Sequence, residues 1–340
     1  MPIPVLGRAP EVPTPSGPQP PQKVHWGRTY VSITGRNGEG EEIPLTGFSD
    51  PRWPGIVLMP GATGLDAPPF ELHADDSPNL DGGIFRDARA VAREIMIPVH
   101  LHGIDRRTVK QIKSRLVSAL NPKKGYCVLK FVEGDAVPRY IRCYYKSGME
   151  GSESEDQSGF TWKKFGIQLT AYDPYFYGDD VQVAQWLFGG GETFLSEGDD
   201  GDLGTPDDQP FFPLKLNAGL VSGSEVEVSN PGDVEAWPRW ELTGPIKSFK
   251  FTSPTGESFG IAAPGDGSDV IPGGTTLVVD TRPGYKSLKD NTGKNYWPDL
   301  DDNPQLWQIP EGDSTCTVDI VSGSPSATVR LTFQPRYEGY

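Results

Sequence analysis

Residues 83–174 constrain the fold most, because strand-like and helical patterns follow one another there in a definite order. In chain order the patterns are a strand (95–102), a helix (106–120), a hairpin (126–145) and a long strand (161–172). Pro98 favours an edge or bulged position for the first strand, since proline has no N–H to donate. Asp105 can cap the helix, and Asn121-Pro122 ends it, because the residue before a proline leaves the α region. The order predicts an α+β unit in which one helix packs on a small sheet.

The second half of the chain shows strand patterns without a helix. Short runs of alternating apolar and polar residues recur between Pro- and Gly-rich turns from residue 211 onward. The alternation is clearest where Cys316, Val318 and Ile320 are separated by polar residues. Regular spacing of this kind is typical of an antiparallel β-sandwich or jelly roll. The sequence therefore predicts a mainly β protein with one principal helix.

Changes in composition divide the chain into four regions. They are a Pro-rich arm (1–25), an α+β domain (26–188), an acidic Gly-rich linker (189–210) and a β-sandwich domain (211–340). The arm is expected to be extended, and its composition fits both a disordered tail and an arm that lies on a neighbouring subunit. The linker carries seven acidic residues and no Lys or Arg, which is typical of a solvated connector or a long surface loop. A calcium loop is disfavoured there, because no Glu stands at the spacing of a bidentate ligand.

The charge of the chain limits its partners. The formal net charge is -15, which opposes nucleic-acid binding, because a basic surface is needed to neutralise phosphates. It also opposes adhesion to anionic membranes, and no run reaches the roughly 18 apolar residues of a membrane span. Cys127 and Cys143 could face each other across the hairpin as a disulfide, but two buried free thiols are the favoured interpretation.

No group of residues predicts a catalytic, cofactor or metal site. The Gly-x-Ser-x-Gly turn of a serine nucleophile is absent. His100 and His102 stand two apart on a strand and point the same way, but without a third ligand a solvated or interface face is favoured over a metal site. The segment 299–303 resembles the start of a calcium loop, yet Pro304 occupies the position of the required glycine. We therefore expect a protein that is not an enzyme.

Three aromatic residues of the second domain are candidates for sugar contact. They are Tyr285, Tyr296 and Trp297. Their segments are rich in turns, where exposed rings can stack on sugars. The alternative is that these rings shield the rim of a sandwich core filled by tryptophans. The tryptophans expected in that core are Trp237, Trp240 and Trp307.

Short motifs occur along the chain in an order that is characteristic of one protein family. In the first domain they are Gly-x-x-Gly-Leu-Asp-x-Pro-Pro (61–69), Asp-Gly-Gly-x-Phe (81–85) and Ala-Tyr-Asp-Pro-Tyr-Phe-Tyr (171–177). In the second they are 230–238, 243–245, 279–281, 307–312 and 336–337. This order resembles the distal tail proteins, or Dit proteins, of long-tailed bacteriophages. The resemblance implies a ring-forming first domain followed by a galectin-like sandwich.

The resemblance also implies a structural role at the tip of a phage tail. The expected assembly is a homohexameric ring that joins the tail tube protein to tail-tip and host-adhesion proteins. DNA would pass through the lumen without specific binding, and the acidic loop at 150–156 is a candidate lining. The protein would be assembled in the host cytoplasm and reside in the virion, where the sandwich could contact a host cell-surface glycan.

The subunit contact of such a ring is expected along strand 95–102, helix 106–120 and the 126–145 hairpin, which supply edges and a packing face, because edge strands expose unpaired N–H and C=O groups. The candidate interface residues are Ile95, Ile97, His100, His102, Tyr140 and Tyr144. The alternative function is a carbohydrate-binding protein with a β-sandwich module. Paired cysteines would favour that alternative, and the cysteine spacing shows no paired framework.

Overall fold

The computed structural model describes most of the chain. The described residues are 29–46, 54–76, 81–134, 136–151, 161–188, 224–322 and 327–340. The predicted Pro-rich arm (1–25) and acidic linker (189–210) lie outside them. Within the described residues, the predicted mainly β fold with one principal helix is confirmed.

The first half forms a sheet that is covered by α1 (Arg106–Leu120). Its strands are β1 (Thr29–Thr34), β2 (Glu42–Pro44), β3 (Gly55–Leu58), β6 (Arg93–His102), β7 (Cys127–Glu133), β8 (Arg139–Ser147), β9 (Trp162–Ala171) and β10 (Phe176–Tyr177). The strand order is β2-β1-β7-β8-β9-β6-β3, and β10 pairs with β8. Strands β4 (Phe70–Asp76) and β5 (Gly83–Ala90) form a separate hairpin. All of these pairs are antiparallel.

Strand β6 lies inside the sheet and not at its edge, because it pairs with β9 on one side and with β3 on the other. The sequence-based prediction of an edge or bulged strand is therefore wrong, since both pairings of β6 also run without a register shift. The Met59 N–H donates to the Pro98 carbonyl oxygen (2.8 Å), so the nitrogen of Pro98 also faces the β3 side. Since β3 ends at Leu58, the N–H that proline lacks has no strand partner to lose.

Helix α1 begins and ends where local signals predict. The Asp105 carboxylate accepts hydrogen bonds from the backbone N–H and the hydroxyl of Thr108, both at 2.7 Å. These bonds lower the pKa of Asp105, as expected when the charged form is the acceptor. Val109, Leu116 and Leu120 bury one stripe of the helix in the core of the first half.

The second half is built from two antiparallel sheets around one core. One sheet has the order β11 (Val181–Phe188), β19 (Ala327–Phe333), β13 (Arg239–Thr243), β16 (Thr276–Asp280), β17 (Ser287–Asp290). The other has the order β12 (Ser224–Asn230), β18 (Gly312–Ser322), β14 (Ile246–Thr252), β15 (Ser258–Ile261). Trp240 stacks on Phe251 with ring centroids 4.0 Å apart, and the Trp307 indole N–H donates to the Phe251 carbonyl oxygen (3.2 Å). Both tryptophans thus fill the core as predicted, whereas Trp237 is half-buried and lines a cleft outside it.

The chain crosses between its two halves more often than the predicted domain ranges allow. Strand β11 pairs along its length with β19 of the sandwich, although the sequence-based range places 181–188 in the first domain. Strand β20 (Arg336–Tyr337) returns from the sandwich and pairs with β10. Alternation within a strand shows which of its faces is apolar, but it does not show which strand it pairs with. The predicted boundary at 188 therefore places β11 in the first domain, whereas its sheet belongs to the sandwich.

All three cysteines are buried free thiols in the structure. Cys127 and Cys143 stand opposite each other on β7 and β8, and the Cys127 thiol donates to the Cys143 carbonyl oxygen (3.2 Å). Burial raises the pKa of Cys127 to about 12 and that of Cys316 to about 11, and it raises the pKa of Cys143 well above its ordinary value. The favoured interpretation of free thiols is confirmed.

We expect these thiols to be inert in the native protein at pH 8. Because the thiolate is the reactive form, a thiol-specific disulfide reagent should react at least about a hundredfold slower than with an exposed cysteine. The rate is measured by absorbance before and after unfolding in denaturant, which should release all three thiols. Val321→Cys, at an exposed position of β18, supplies the fast control. Native reaction of any of the three at the rate of that added thiol would contradict the prediction.

Candidate functional site

Arg93 is the charged residue at the centre of the joint between the two halves. It stands two residues before Ile95, in phase with the inward-facing side chains of β6, and only 1% of it is exposed. Its guanidinium donates to the carbonyl oxygens of Asp66 (2.7 Å), Gly64 (3.3 Å) and Glu338 (2.6 Å). Burial lowers the pKa of Arg93. No role for Arg93 was predicted from the sequence. A signal was present, because an arginine on the apolar face of a strand must be buried beside hydrogen-bond acceptors.

The motif at 61–69 folds around Arg93 and supplies two of its three acceptors. Gly64 has a φ of +79°, and a Cβ at this position would lie 2.1 Å from the Glu94 carbonyl oxygen. A side chain is therefore excluded by both backbone conformation and space. The neighbouring Thr63 exchanges backbone hydrogen bonds with Met96 at 3.0 and 3.1 Å. The motif holds its loop against the start of β6 and turns its carbonyl groups toward the arginine.

The last residues of the chain leave the sandwich and bind the first sheet. Tyr337 of β20 stands opposite Phe176 of β10. The Arg139 guanidinium lies 3.0 Å from the centroid of the Tyr337 ring. The ring of Tyr340 packs against Phe131 with centroids 4.9 Å apart. Together with the Arg93 bond to Glu338, these contacts anchor the C-terminal segment on the first half.

Arg336 is the second buried arginine of this joint. It donates from Nη1 to the Glu235 carbonyl oxygen (3.0 Å), and its guanidinium lies 3.7 Å from the Asp173 carboxylate. The same guanidinium lies 4.3 Å from the centroid of the Tyr175 ring. Three motifs behind the family resemblance, at 171–177, 230–238 and 336–337, therefore meet at one arginine. The sequence reveals these motifs singly, and the structure shows that they join the two halves.

The hairpin of β4 and β5 extends away from both cores. It forms its own two-stranded sheet, and its residues are exposed along nearly the whole length. Its base is closed by a hydrogen bond from the Val91 N–H to the Pro69 carbonyl oxygen (2.9 Å). No residue in the described part of the chain buries this hairpin.

The pairing register of this hairpin collects apolar side chains on one face. Leu72 stands opposite Ala88, and Phe85 stands opposite Ala74. Because paired residues share a face, as do alternate residues along a strand, Leu72 and Phe85 lie on the same face. Phe70 and Ala90 form a further pair there. The opposite face carries the Arg89–Glu71 ion pair at 2.6 Å and the exposed Ile84. We call the first of these the apolar hairpin face, composed of Phe70, Leu72, Ala74, Phe85, Ala88 and Ala90.

The candidate interface residues on β6 divide between its two faces. Ile95 and Ile97 lie in the core beneath α1, so the prediction that they contact a neighbouring subunit is wrong. Alternation turns His100 and His102 to the other face, where their rings lie 6.0 Å apart and His100 stacks on Trp162 at 5.7 Å. Burial lowers the pKa of His100. His100 is half-buried and remains a predicted interface residue, whereas His102 is buried and offers little surface to a neighbouring subunit.

Tyr140 and Tyr144 lie on β8, where the structure leaves both partly accessible. Burial raises the pKa of Tyr140. The Tyr144 ring packs edge-on against Tyr126 and Tyr172, with centroids 6.4 and 5.7 Å apart. Their role in a subunit contact stays a prediction.

The three aromatic residues predicted to contact sugar do not share one environment. Only 1% of Tyr296 is exposed, and its hydroxyl donates to the Asp290 carboxylate (3.1 Å). A ring without accessible faces cannot stack on a sugar, so the prediction for Tyr296 is wrong. Tyr285 and Trp297 are exposed, 60% and 37% respectively. A sugar contact at these two residues stays a prediction.

The described residues contain no group of three or more His, Cys, Asp or Glu side chains placed to hold a metal ion. His100 and His102 accordingly have no third ligand among the residues that the structure describes. None of the helices in this part of the chain is long and apolar enough to cross a membrane.

The described residues form a helix-covered sheet with an exposed hairpin, and a returning strand joins this sheet to a two-sheet sandwich. The chain is similar to the crystal structure of SPP1 Dit, described as a hub adsorption apparatus protein of phages that infect Gram-positive bacteria. The TM-score is 0.57 at 12% identity, over 90% of this chain and 98% of that one.

Two structures of the phage P2 baseplate in its activated conformation, with Ca and with Sr, show the same likeness. Each has a TM-score of 0.53 at 9% identity and covers 92% of this chain and 100% of that one. No protein-family model and no curated protein sequence matches the chain. The chain thus has the mainly β, Dit-like fold that its motifs implied. The galectin-like form of its sandwich stays a prediction.

Proposed function

We propose that this protein is a structural distal tail protein that forms the hub ring at the tip of a phage tail. Its fold is that of proteins whose structures come from phage hubs and baseplates. In this role it would not be an enzyme, and it would join the tail tube protein to the proteins of the tail tip. The observation that carries the proposal is the apolar hairpin face.

An isolated two-stranded hairpin is marginally stable in water, because it buries little apolar surface. The hairpin here exposes 68% of Leu72 and 63% of Phe85 on one face. Contiguous exposed apolar side chains of this kind mark a surface that is buried by another molecule. A neighbouring copy of the same chain is the partner that a ring supplies to every subunit.

Docking of the hairpin on the next subunit is a heterologous contact, in which two different surfaces of the chain meet. Such contacts close into a ring when the rotation between neighbours divides a full turn, and the family resemblance implies a hexamer. Each contact would bury about 1,000 Å² or more to be stable. The uncovered sheet face that bears His100 and Trp162 is a candidate for the receiving surface.

The joint around Arg93 and Arg336 supports the second part of the role. A sandwich held by buried arginines and a shared sheet keeps one orientation relative to the first half. In a ring, each sandwich would therefore stand at a defined place at the periphery, where tip proteins or a host glycan can be reached. Burial of Tyr296 weakens the alternative of a carbohydrate-binding protein, since it removes one of three candidate contacts.

The net negative charge of the chain suits a channel through which DNA slides. With a net charge of -15, like charges oppose binding of the phosphate backbone. Glu150 is the described acid of the predicted lumen loop, and it accepts hydrogen bonds from the Tyr145 hydroxyl (2.9 Å) and the Gly148 N–H (2.7 Å). Hydrogen bonds from its own backbone N–H, from the Gly148 N–H and from the Tyr145 hydroxyl lower the pKa of Glu150.

Native mass spectrometry of the full chain is expected to give a species of six times the 37.1 kDa chain mass. The physical reason is the closed heterologous contact made by every hairpin. Electron microscopy of tails labelled with an antibody against the sandwich should then place the protein at the distal end of the tube. Labelling elsewhere along the tail, or at the head, would contradict the hub assignment whatever the mass.

A further inference from the structure

A cleft between the two halves of the molecule is lined by arginines from both. Two adjacent cavities of about 150 and 320 Å³ share Arg142, Tyr177, Asp180 and Gln334. The smaller cavity is also lined by Trp237, Arg239, Arg282 and Arg336. Four of the 31 Lys and Arg residues of an acidic chain thus meet at one cavity, and Asp180 is the carboxylate in its lining.

Arg142 is the cation shared by both cavities. Its guanidinium lies 5.7 Å from the centroid of the Tyr126 ring and 5.1 Å from that of Tyr177. It forms no ion pair or hydrogen bond with the described residues, and it is only half-buried. Rings that contact the face of a guanidinium leave its N–H groups free for an acceptor in the cleft.

The other arginines differ in how firmly they are already held. Arg282 makes a two-pronged pair with Asp280, at 2.6 Å and 3.0 Å, and Arg336 is held by the joint described above. Arg239 is exposed and lies 3.4 Å from Glu241. The first two arginines therefore give the cleft a fixed wall, and Arg142 and Arg239 are the cations that remain available to a ligand.

We propose that this cleft binds an anion, a phosphate or carboxylate group held between Arg142 and Arg239. Arginine forks match the geometry of these oxyanions, and charge-assisted bonds of this type are about twice as strong as neutral ones. Trp237 and Tyr177 supply apolar walls for whatever carries the group. This site does not depend on the proposed hub function.

The position of the site gives anion binding a mechanical consequence. Arg142 lies on β8 of the first half, and Arg239 lies on β13 of the sandwich. An anion bound by both arginines links the two halves at a point separate from Arg93. Occupancy therefore stiffens the joint, and ligand binding to the folded state raises its stability by mass action.

The test is isothermal titration calorimetry of the full chain with sodium phosphate, at constant ionic strength set with sodium chloride. We expect saturable binding, with a dissociation constant that rises about tenfold or more in Arg142→Gln, as loss of a charge-assisted pair requires. Arg142→Lys should recover part of the affinity, because it keeps the charge and loses the fork. Absence of saturable binding to the wild-type chain overturns the proposal.

Two further variants distinguish loss of the binding site from a folding defect. Arg239→Gln changes an exposed side chain, so the fold is retained while phosphate affinity falls. Arg115→Gln changes an exposed arginine of α1 that lies outside the cleft and pairs with Glu41. This substitution should leave the phosphate affinity unchanged. Equal affinity of the wild type, Arg142→Gln and Arg239→Gln would overturn the site even if phosphate binds elsewhere.

A competition experiment distinguishes the two possible ligands, a carboxylate group and a free phosphate group. The chain itself contains an acidic segment, 189–210, with seven carboxylates and no Lys or Arg. A synthetic peptide of this segment, and the same peptide with amides in place of the acids, are titrated against the phosphate-loaded protein. Displacement by the acidic peptide alone identifies a carboxylate ligand, and saturable phosphate binding without displacement identifies a free phosphate group. Equal displacement by both peptides would contradict charge recognition in the cleft.

Discussion

Replacing Leu72 and Phe85 with aspartate is expected to convert the proposed ring into monomers. Both side chains are exposed in the single chain, 68% and 63%, so the substitutions should leave the fold of each subunit intact. In the ring they would place two unpaired carboxylates against an apolar surface, at a cost of about 3 kcal/mol or more. Subunit affinity should then fall by about a hundredfold or more. Native mass spectrometry of Leu72→Asp/Phe85→Asp reports the change, and thermal unfolding reports the fold.

A matched control lies on the same hairpin. Ile84 is also exposed, but the register of β4 and β5 places it on the face opposite Leu72 and Phe85. Ile84→Asp adds a carboxylate to the same hairpin and should leave the proposed hexamer in place. Dissociation by Ile84→Asp to the same extent, or a ring that survives the double variant, would show that the apolar hairpin face is not the subunit contact.

Arg93→Met is expected to be the most destabilising single substitution that preserves side-chain size at the joint. Methionine fills much of the same volume but donates to none of the carbonyl groups of Gly64, Asp66 and Glu338. Loss of the guanidinium leaves these buried carbonyl acceptors unsatisfied, at a cost of about 1–3 kcal/mol for each acceptor that finds no other partner. Urea unfolding measures the loss, and carboxypeptidase digestion should remove the C-terminal residues faster in the variant.

Arg89→Met serves as the control for this measurement. Arg89 is exposed and pairs with Glu71 on the surface of the hairpin, and exposed ion pairs contribute at most about 1 kcal/mol. Its unfolding midpoint and its carboxypeptidase rate should match those of the wild type. If Arg93→Met unfolded at the wild-type urea concentration and kept a protected C-terminus, Arg93 would not be the residue that holds the joint.

The sequence correctly predicted those helices and strands whose ends are set by residues close to them in the chain. Helix α1 starts after the Asp105 cap and ends before Asn121-Pro122, and both signals act within a few residues. The alternation in β6 and β18 likewise predicted strands and their apolar faces. These features are local, because a side-chain cap, a proline or a period of two acts through the chain itself.

The partners of those elements did not follow from the sequence. Strand β6 was expected at an edge or a bulge, and it lies between β9 and β3. Its paired residues are 60 to 78 positions away along the chain in β9 and 41 to 47 positions away in β3. Strand β11 was assigned to the first domain and pairs with β19. The backbone groups that form these pairs are the same in every residue, so only packing of the whole chain selects among them.

The burial of single side chains likewise depends on the tertiary structure and not on the local sequence alone. Tyr296 stands in a turn-rich segment that favours exposure, yet its ring is buried and its hydroxyl binds Asp290. Ile95 and Ile97 were assigned to a subunit contact, although their alternation already placed them on the face that α1 covers. The alternation of Phe70, Leu72 and Ala74 is visible in the sequence as well. It does not tell whether the apolar face is covered by the same chain or by another one.

The sequence by itself determined the mainly β class, the single principal helix, the free thiols and the motifs that resemble Dit proteins. Each of these depends on residue type and short spacing. Only the tertiary structure decided that Arg93 and Arg336 gather those motifs into one joint, that Arg142 and Arg239 line one cleft, and that no described residue covers the apolar hairpin face. The physical reason is distance along the chain: Arg93 binds Glu338 across 245 positions. A contact of that range is selected by the packing energy of the whole fold, which no local pattern encodes.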